Sequence, residues 1–276
     1  MKLFKKVAIV GTGLIGGSLG MVIKRNHLAD QVVGVSRHKR NIVLAKKMGA
    51  IDSGSQSLEI IRGADLLILA TPIDTIISQA PRISKLVKAG CIVTDVGSTK
   101  EKIVSSLTRV FPRFVGTHPM AGSEKRSIIN ANPNLFKGSL CILTKTNKTD
   151  QLAFVKIMGL WKRLGARLLI LSPKEHDKAL GFVSHLPHLI AFSLINSIPD
   201  KNLKFASGGL KDTTRIAASD SEIWSEIFFS NRKNILNDIS LFEKQVSRIK
   251  SALQKSNKEP LKSILKQAKT KRDNLE

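Results

Sequence analysis

The stretch VAIVGTGLIGGSLG at residues 7–20 narrows the possible folds more than any other part of the chain. A short apolar run gives way to Gly11-Thr12-Gly13-Leu14-Ile15-Gly16, which opens a helix-like segment reaching about Arg25. The spacing G-x-G-x-x-G is weak evidence alone, but between a strand and a helix it has a mechanical meaning. Gly11 permits a tight turn, Gly13 lets the backbone approach a pyrophosphate, and Gly16 lets the helix pack close to the strand. The helix start adds free N–H donors and the positive end of a dipole. Residues 11–16 are therefore expected to cradle a dinucleotide.

Further strand-like runs alternate with helix-like ones: QVVGVSR at 31–37, ADLLILATP at 64–72, CIVTDVGS at 91–98, RFVGTHP at 113–119 and SLCILT at 139–144. Near-continuous apolar strands of this kind suit a parallel sheet covered on both faces. The pattern predicts an α/β fold: an N-terminal Rossmann-type, doubly wound parallel sheet over residues 1–171, followed by an all-α domain over residues 172–276. Ser172-Pro173-Lys174-Glu175 has the form of a capping box with proline at the first helical position. One long helix is expected over 173–198, kinked at Pro187, whose ring clashes with the carbonyl of Val183. A short helix should carry Asp212 to Ala217, and another should start near Ser221. In the latter, Ile235, Ile239, Phe242, Val246, Ile249 and Leu253 form one apolar stripe, fit to pack within the chain or in a homodimer. The tail after Glu259 reads as a basic helix or a frayed end.

The second strand bears on the choice of dinucleotide. An NAD site usually has Asp or Glu there for the ribose 2′-hydroxyl. Here Ser36 and Arg37 are followed by His38, Lys39 and Arg40. A hydroxyl and a guanidinium suit a 2′-phosphate, which favours NADP over NAD. Arg37 could instead stack on adenine in an NAD site.

The 276 residues include 45 Lys plus Arg against 21 Asp plus Glu, a net charge of +24. The lysines are scattered, without zinc spacing or an RNP-like strand, so they read as a solvated surface rather than a nucleic-acid interface. No apolar run reaches the roughly 18 residues of a membrane span, and the N-terminus does not read as a signal peptide. Cys91 and Cys141, each in an apolar run, read as reduced, buried thiols of a cytoplasmic protein.

Among the histidines, His118 falls in GTHPMAGSE at the carboxyl edge of the sheet, where open α/β folds bind ligands. It could accept a hydroxyl proton as hydride leaves the same carbon. His185 and His188 share a helix face, but no third ligand is spaced to make a metal site, and none is expected. Arg215 in KDTTRIA is a candidate carboxylate clamp, with Asp212 placed to hold it.

Taken together, GTGLIGGSL at 11–19, ATP at 70–72, TDVGSTK at 94–100, GTHPMAGSE at 116–124, HD at 176–177, SHLPH at 184–188 and GGLKDTTRIA at 208–217, with Trp224 following, resemble the prephenate/arogenate dehydrogenase family of tyrosine biosynthesis. The resemblance spans about residues 6–250. It implies oxidative decarboxylation of prephenate to 4-hydroxyphenylpyruvate, with hydride passing from C4 to a nicotinamide. His118 is similar to the catalytic histidine that bonds the ring hydroxyl, and Ser98 to the serine that orients it. His188 and Arg215 resemble substrate-binding residues, and Asp212 the residue that orients the arginine. Ser123 and Glu124 match positions near the substrate mouth, and Thr71 and Pro72 positions bordering the cofactor. The complete SHLPH favours prephenate over arogenate, which carries an ammonium in place of the keto group. No βαββαβ pattern follows the helical part, so a regulatory ACT domain is not expected. A β-hydroxyacid dehydrogenase or imine reductase would share the glycine loop and helical half but use a lysine in place of these histidine motifs. A non-catalytic, basic nucleotide-binding protein would not need His118, Ser98 and Arg215 together.

Overall fold

The computed structural model describes residues 2–122 and 127–275. The sheet-forming part runs β1 (Phe4–Val10), α1 (Leu14–Arg25), β2 (Ala29–Val35), α2 (Lys39–Lys47), β3 (Ser53–Ser55), β4 (Leu66–Leu69) and α3 (Ile73–Ser84). It continues through β5 (Ile92–Asp95), α4 (Glu101–Leu107), β6 (Phe114–Pro119), β7 (Leu140–Thr144), α5 (Gln151–Arg163) and β8 (Arg167–Leu171). The strands lie in the order β3-β2-β1-β4-β5-β6-β7-β8.

Strands β1 to β6 are parallel, as the apolar runs predict. The expectation that 139–144 continues this pattern is corrected: β7 lies antiparallel to β6, with His118 opposite Ile142. Among the described residues only a 3₁₀ turn, Ile128–Asn130, separates these two strands, whereas a parallel return needs a full crossover. Helix α5 supplies such a crossover between β7 and β8, which are parallel.

Burial on both faces explains the missing alternation. Val7, Ile9, Leu66 and Ile68 join Leu19, Ile23 and Trp161 on one side of the sheet. Their neighbours Ala8, Val10, Leu67 and Leu69 join Ile76, Ile83 and Ile103 on the other. Cys91 and Cys141 are free and buried, and burial pushes the Cys91 thiol up to about 11.

After β8 the chain is helical: α6 (Pro173–Leu180), α7 (Leu186–Asn196), α8 (Gly208–Thr214) and α9 (Ser221–Ser230). The capping box at Ser172 forms in full, with its hydroxyl accepting from Glu175 N–H and the Glu175 carboxylate accepting from Ser172 N–H. The expected proline clash at 187 does not occur. Gly181–His185 forms a π turn in which Leu186 N–H donates to Gly181 O, and Pro187 falls in the first turn of α7. A wider turn absorbs one extra residue, so the proline ring is no longer opposed to a carbonyl one α-turn back.

The combined run Pro173–Asn196 is long and apolar enough to cross a membrane by length and composition alone, a correction to the expectation that no apolar run reaches that length. Its His176, Asp177 and His185 are nevertheless buried and hydrogen-bonded within the protein.

The chain resolves into two compact units, Met1–Asn231 and Arg232–Glu276. Helices α6 to α9 thus belong to the same unit as the sheet; Ile227 of α9 joins the second apolar cluster. The second unit holds α10 (Arg232–Gln254) and α11 (Lys258–Asp273). Helix α10 carries the apolar stripe, of which Phe242, Val246 and Leu253 are exposed.

Replacing Ser172 with Ala removes the cap of α6. The expected cost is about 1 kcal/mol, read in thermal unfolding as a fall in Tm of about 2 °C. An unchanged Tm would mean that the cap adds nothing to stability.

Candidate active site

The glycine turn is built for a close approach. Gly11 has φ of 101°, and a Cβ there would stand 2.5 Å from Ala70 O. A Cβ on Gly16 would stand 1.9 Å from Gly11 O, whereas nothing lies within 4 Å of the one built on Gly13. Gly13 is the N-cap of α1 and provides no side-chain cap, and the first turn, starting at Leu14 and Ile15, has no acidic residue. The first N–H groups of α1 therefore meet neither a capping side chain nor a repelling carboxylate. Beside them, the buried hydroxyls of Thr12 and Thr71 make no hydrogen bond. An open glycine edge, a bare helix start and two orphaned hydroxyls fit a dinucleotide pyrophosphate. Pro72 is exposed at the start of α3. At the end of β2, Ser36 is half-buried and Arg37 exposed, with Gln56 donating to Arg37 O.

His118 sits near the end of β6 and is 8% exposed. Its Nδ1 is 2.8 Å from His176 Nε2, and His176 Nδ1 is 2.7 Å from Asp177 Oδ1. Asp177 also accepts from Lys100 N–H at 2.7 Å and Glu101 N–H at 2.8 Å, which ties α6 to the start of α4. The fully buried ammonium of Lys100 pairs with Asp95 and donates to Thr117 O. Asp95 in turn accepts from Gly97 N–H and Thr117 N–H. Burial holds His118 well below the usual histidine range, and the neighbouring His176, Lys100 and His185 push the same way. Burial lowers His176 too, against the opposing pull of Asp177. Both rings are thus neutral near pH 7.

Ser98 lies half-buried in the loop between β5 and α4, and its flanks are pinned. Gly97 is held by Asp95, Thr99 Oγ1 meets Ser230 Oγ at 2.8 Å, and Lys100 N–H is held by Asp177.

The helical wall continues from Asn231, whose amide donates to Asp177 O and lies 3.0 Å from His185 Nδ1. Burial depresses His185 to about 4. His188 stacks on Trp224 with ring centroids 3.6 Å apart, and Trp224 also meets His185 edge-on. His188 Nδ1 donates to Ser184 O. Burial lowers its pKa, and the nearby Arg215 cation adds to the effect. Arg215 is exposed at the start of a 3₁₀ turn that packs on α7. Asp212 is exposed on α8 and forms no ion pair with Arg215, a correction to the expected pairing. Ser123 and Glu124 lie outside the described residues.

The histidines and Arg215 thus form one connected wall within one compact unit. Sequence reasoning assigned no part to the His176–Asp177 pair, Asn231 or the Lys100–Asp95 pair. The adjacent His and Asp just inside a capping box were the available signal, but a sequence does not show which strand their helix meets.

Comparison with known proteins agrees with this architecture. A family model for the prephenate dehydrogenase nucleotide-binding domain matches residues 19–170, and one for the prephenate dehydrogenase dimerization domain matches residues 172–267. The prephenate dehydrogenase of Bacillus subtilis is 35% identical over 98% of this chain and 76% of its own length. The cyclohexadienyl dehydrogenase of Zymomonas mobilis is 29% identical over 92% and 90% of the two chains. The crystal structure of prephenate dehydrogenase from A. aeolicus, in complex with hydroxyphenyl propionate and NAD+, superposes with a TM-score of 0.93 at 35% identity, covering 99% of this chain and 98% of that one. The chain therefore belongs to the prephenate dehydrogenase family.

Proposed function

We propose that this protein catalyses the oxidative decarboxylation of prephenate to 4-hydroxyphenylpyruvate, with His118 as proton acceptor. The observation that carries the reading is the neutral, buried His118 at the carboxyl end of the sheet, joined through His176 and Asp177 to the wall that holds His188 and Arg215. A nicotinamide dinucleotide would be held by Gly11, Thr12, Gly13, Leu14, Ile15, Gly16, Thr71 and Pro72, and when bound it supplies the hydride acceptor for C4. His118 Nε2 takes the proton of the 4-hydroxyl, so the oxygen becomes a ketone oxygen as the hydride departs. Loss of the ring carboxylate as carbon dioxide returns its bonding electrons to the ring, which becomes a phenolate and takes the proton back from His118 to give the phenol and restore the neutral imidazole. Ser98, held between pinned neighbours, orients the hydroxyl. Arg215 grips a substrate carboxylate beside His188, and Trp224 supports the His188 ring.

Ser36 and Arg37, with no carboxylate beside them, support NADP over NAD. We read the chain as a dinucleotide-binding domain over 1–171 and a substrate-binding and dimerisation domain over 172–276. It works as a cytoplasmic homodimer in which the exposed stripe of α10 meets a second copy.

The primary test follows the near-ultraviolet absorbance of reduced nicotinamide with prephenate or arogenate and each dinucleotide. Turnover should be fastest with prephenate and NADP. A preference for NAD would remove the 2′-phosphate role of Ser36 and Arg37. His118→Asn should lower kcat by on the order of 10³-fold and leave dinucleotide affinity unchanged; full activity would remove His118 from the mechanism. Arg215→Ala should raise KM for prephenate by about tenfold or more with a smaller effect on kcat. An unaltered KM would refute the carboxylate grip.

A further inference from the structure

We propose that His176 and Asp177 are positioning residues that hold His118 in its Nδ1–H tautomer, leaving Nε2 as the only proton-accepting nitrogen of that ring. The inference rests on the reading of His118 as proton acceptor and follows from the bonding order along the chain of contacts. Asp177 takes N–H donors from Lys100 and Glu101 on its two oxygens, the geometry of an ionised acceptor. It therefore receives the proton-bearing Nδ1 of His176 at 2.7 Å. A neutral imidazole with hydrogen on Nδ1 has a lone pair on Nε2. That lone pair faces His118 Nδ1 at 2.8 Å, so His118 Nδ1 must carry the hydrogen and its Nε2 must be bare.

The same chain serves the proton transfer. When His118 Nε2 takes the hydroxyl proton the ring becomes a cation, and its Nδ1–H still donates to His176. The positive charge is thereby connected through one imidazole to the Asp177 carboxylate, and nothing else need move. His176 and Asp177 are both at most 1% exposed, so water does not compete for these bonds. The backbone donors at Lys100 and Glu101 and the donation from Asn231 to Asp177 O fix the carboxylate's place.

Asp177→Asn tests this directly. The new amide has one oxygen for three N–H donors; where its NH2 takes the place of Oδ1 it gives up Lys100 N–H and faces His176 Nδ1, which moves hydrogen to His176 Nε2 and forces the opposite tautomer on His118. Nitrogen-15 NMR of the imidazoles should show His118 as Nδ1–H in the native protein and Nε2–H in the variant. The variant's kcat should fall by on the order of 10³-fold, with KM for prephenate and dinucleotide affinity held within about threefold. In a His118→Asn background, Asp177→Asn should cost nothing further, because it acts through that ring.

Should Asp177→Asn fail to fold, His176→Gln and His176→Phe decide the matter. The glutamine oxygen can accept from His118 Nδ1–H and should restore much of kcat, while phenylalanine should not. An Nε2–H tautomer of His118 in the native protein overturns the proposal, as does a His176→Phe variant of native kcat while His118→Asn is inactive. Activity surviving in His118→Asn itself would instead defeat the assignment of the proton acceptor.

Discussion

The carboxylate of Asp177 is the constraint from which the rest of the site takes its geometry. It binds the two N–H groups that open α4, a ring that reaches His118, and, through its own carbonyl, the amide of Asn231. The start of α4, the end of β6 and Asn231 after α9 therefore converge on one residue of α6. Backbone donors at a helix start are well matched to the partial negative charge of carboxylate oxygens. The capping box that starts at Ser172 fixes where α6 begins and hence where Asp177 arrives.

A chain with a formal charge of +24 places neutral imidazoles in this core. His118, His176 and His185 are all shifted downward chiefly by burial, and only for His176 and His185 does the pull of Asp177 oppose it. Among the described residues the one fully buried ammonium, Lys100, is matched by Asp95 and by Thr117 O. Breaking such a pair by removing one partner usually costs several kcal/mol, about 3–5. The excess of lysine lies mainly on the surface, where it raises the local concentration of anionic substrates without adding charge to the groups that handle protons.

Much of this was legible in the sequence because it depends on local rules. The glycine turn, the apolar strands and the S-x-x-E start of α6 each follow from sterics or hydrogen bonding within a few residues. His118 could be placed at the sheet's carboxyl edge for the same reason. The reversal of β7 was not legible, since strand direction depends on how the chain returns and not on the apolar run itself. The partnership of His118 with His176 joins residues 58 positions apart in sequence, and nothing in either motif names the other. Asp212 shows the reverse error: a spacing from Arg215 that suits an ion pair does not by itself make one.

The π turn at Gly181–His185 has an angular consequence. In an unbroken α-helix, residues 176 and 188 would project about 120° apart around the axis, since each residue advances by about 100°. One additional residue taken up in a wide turn removes roughly 100° of that offset. The imidazole that reaches the sheet and the one that lies on Trp224 are thereby rotated toward a common azimuth. A single additional position thus sets the phase between the two ends of the helix, and a deletion there would turn the two imidazoles away from each other without changing either residue.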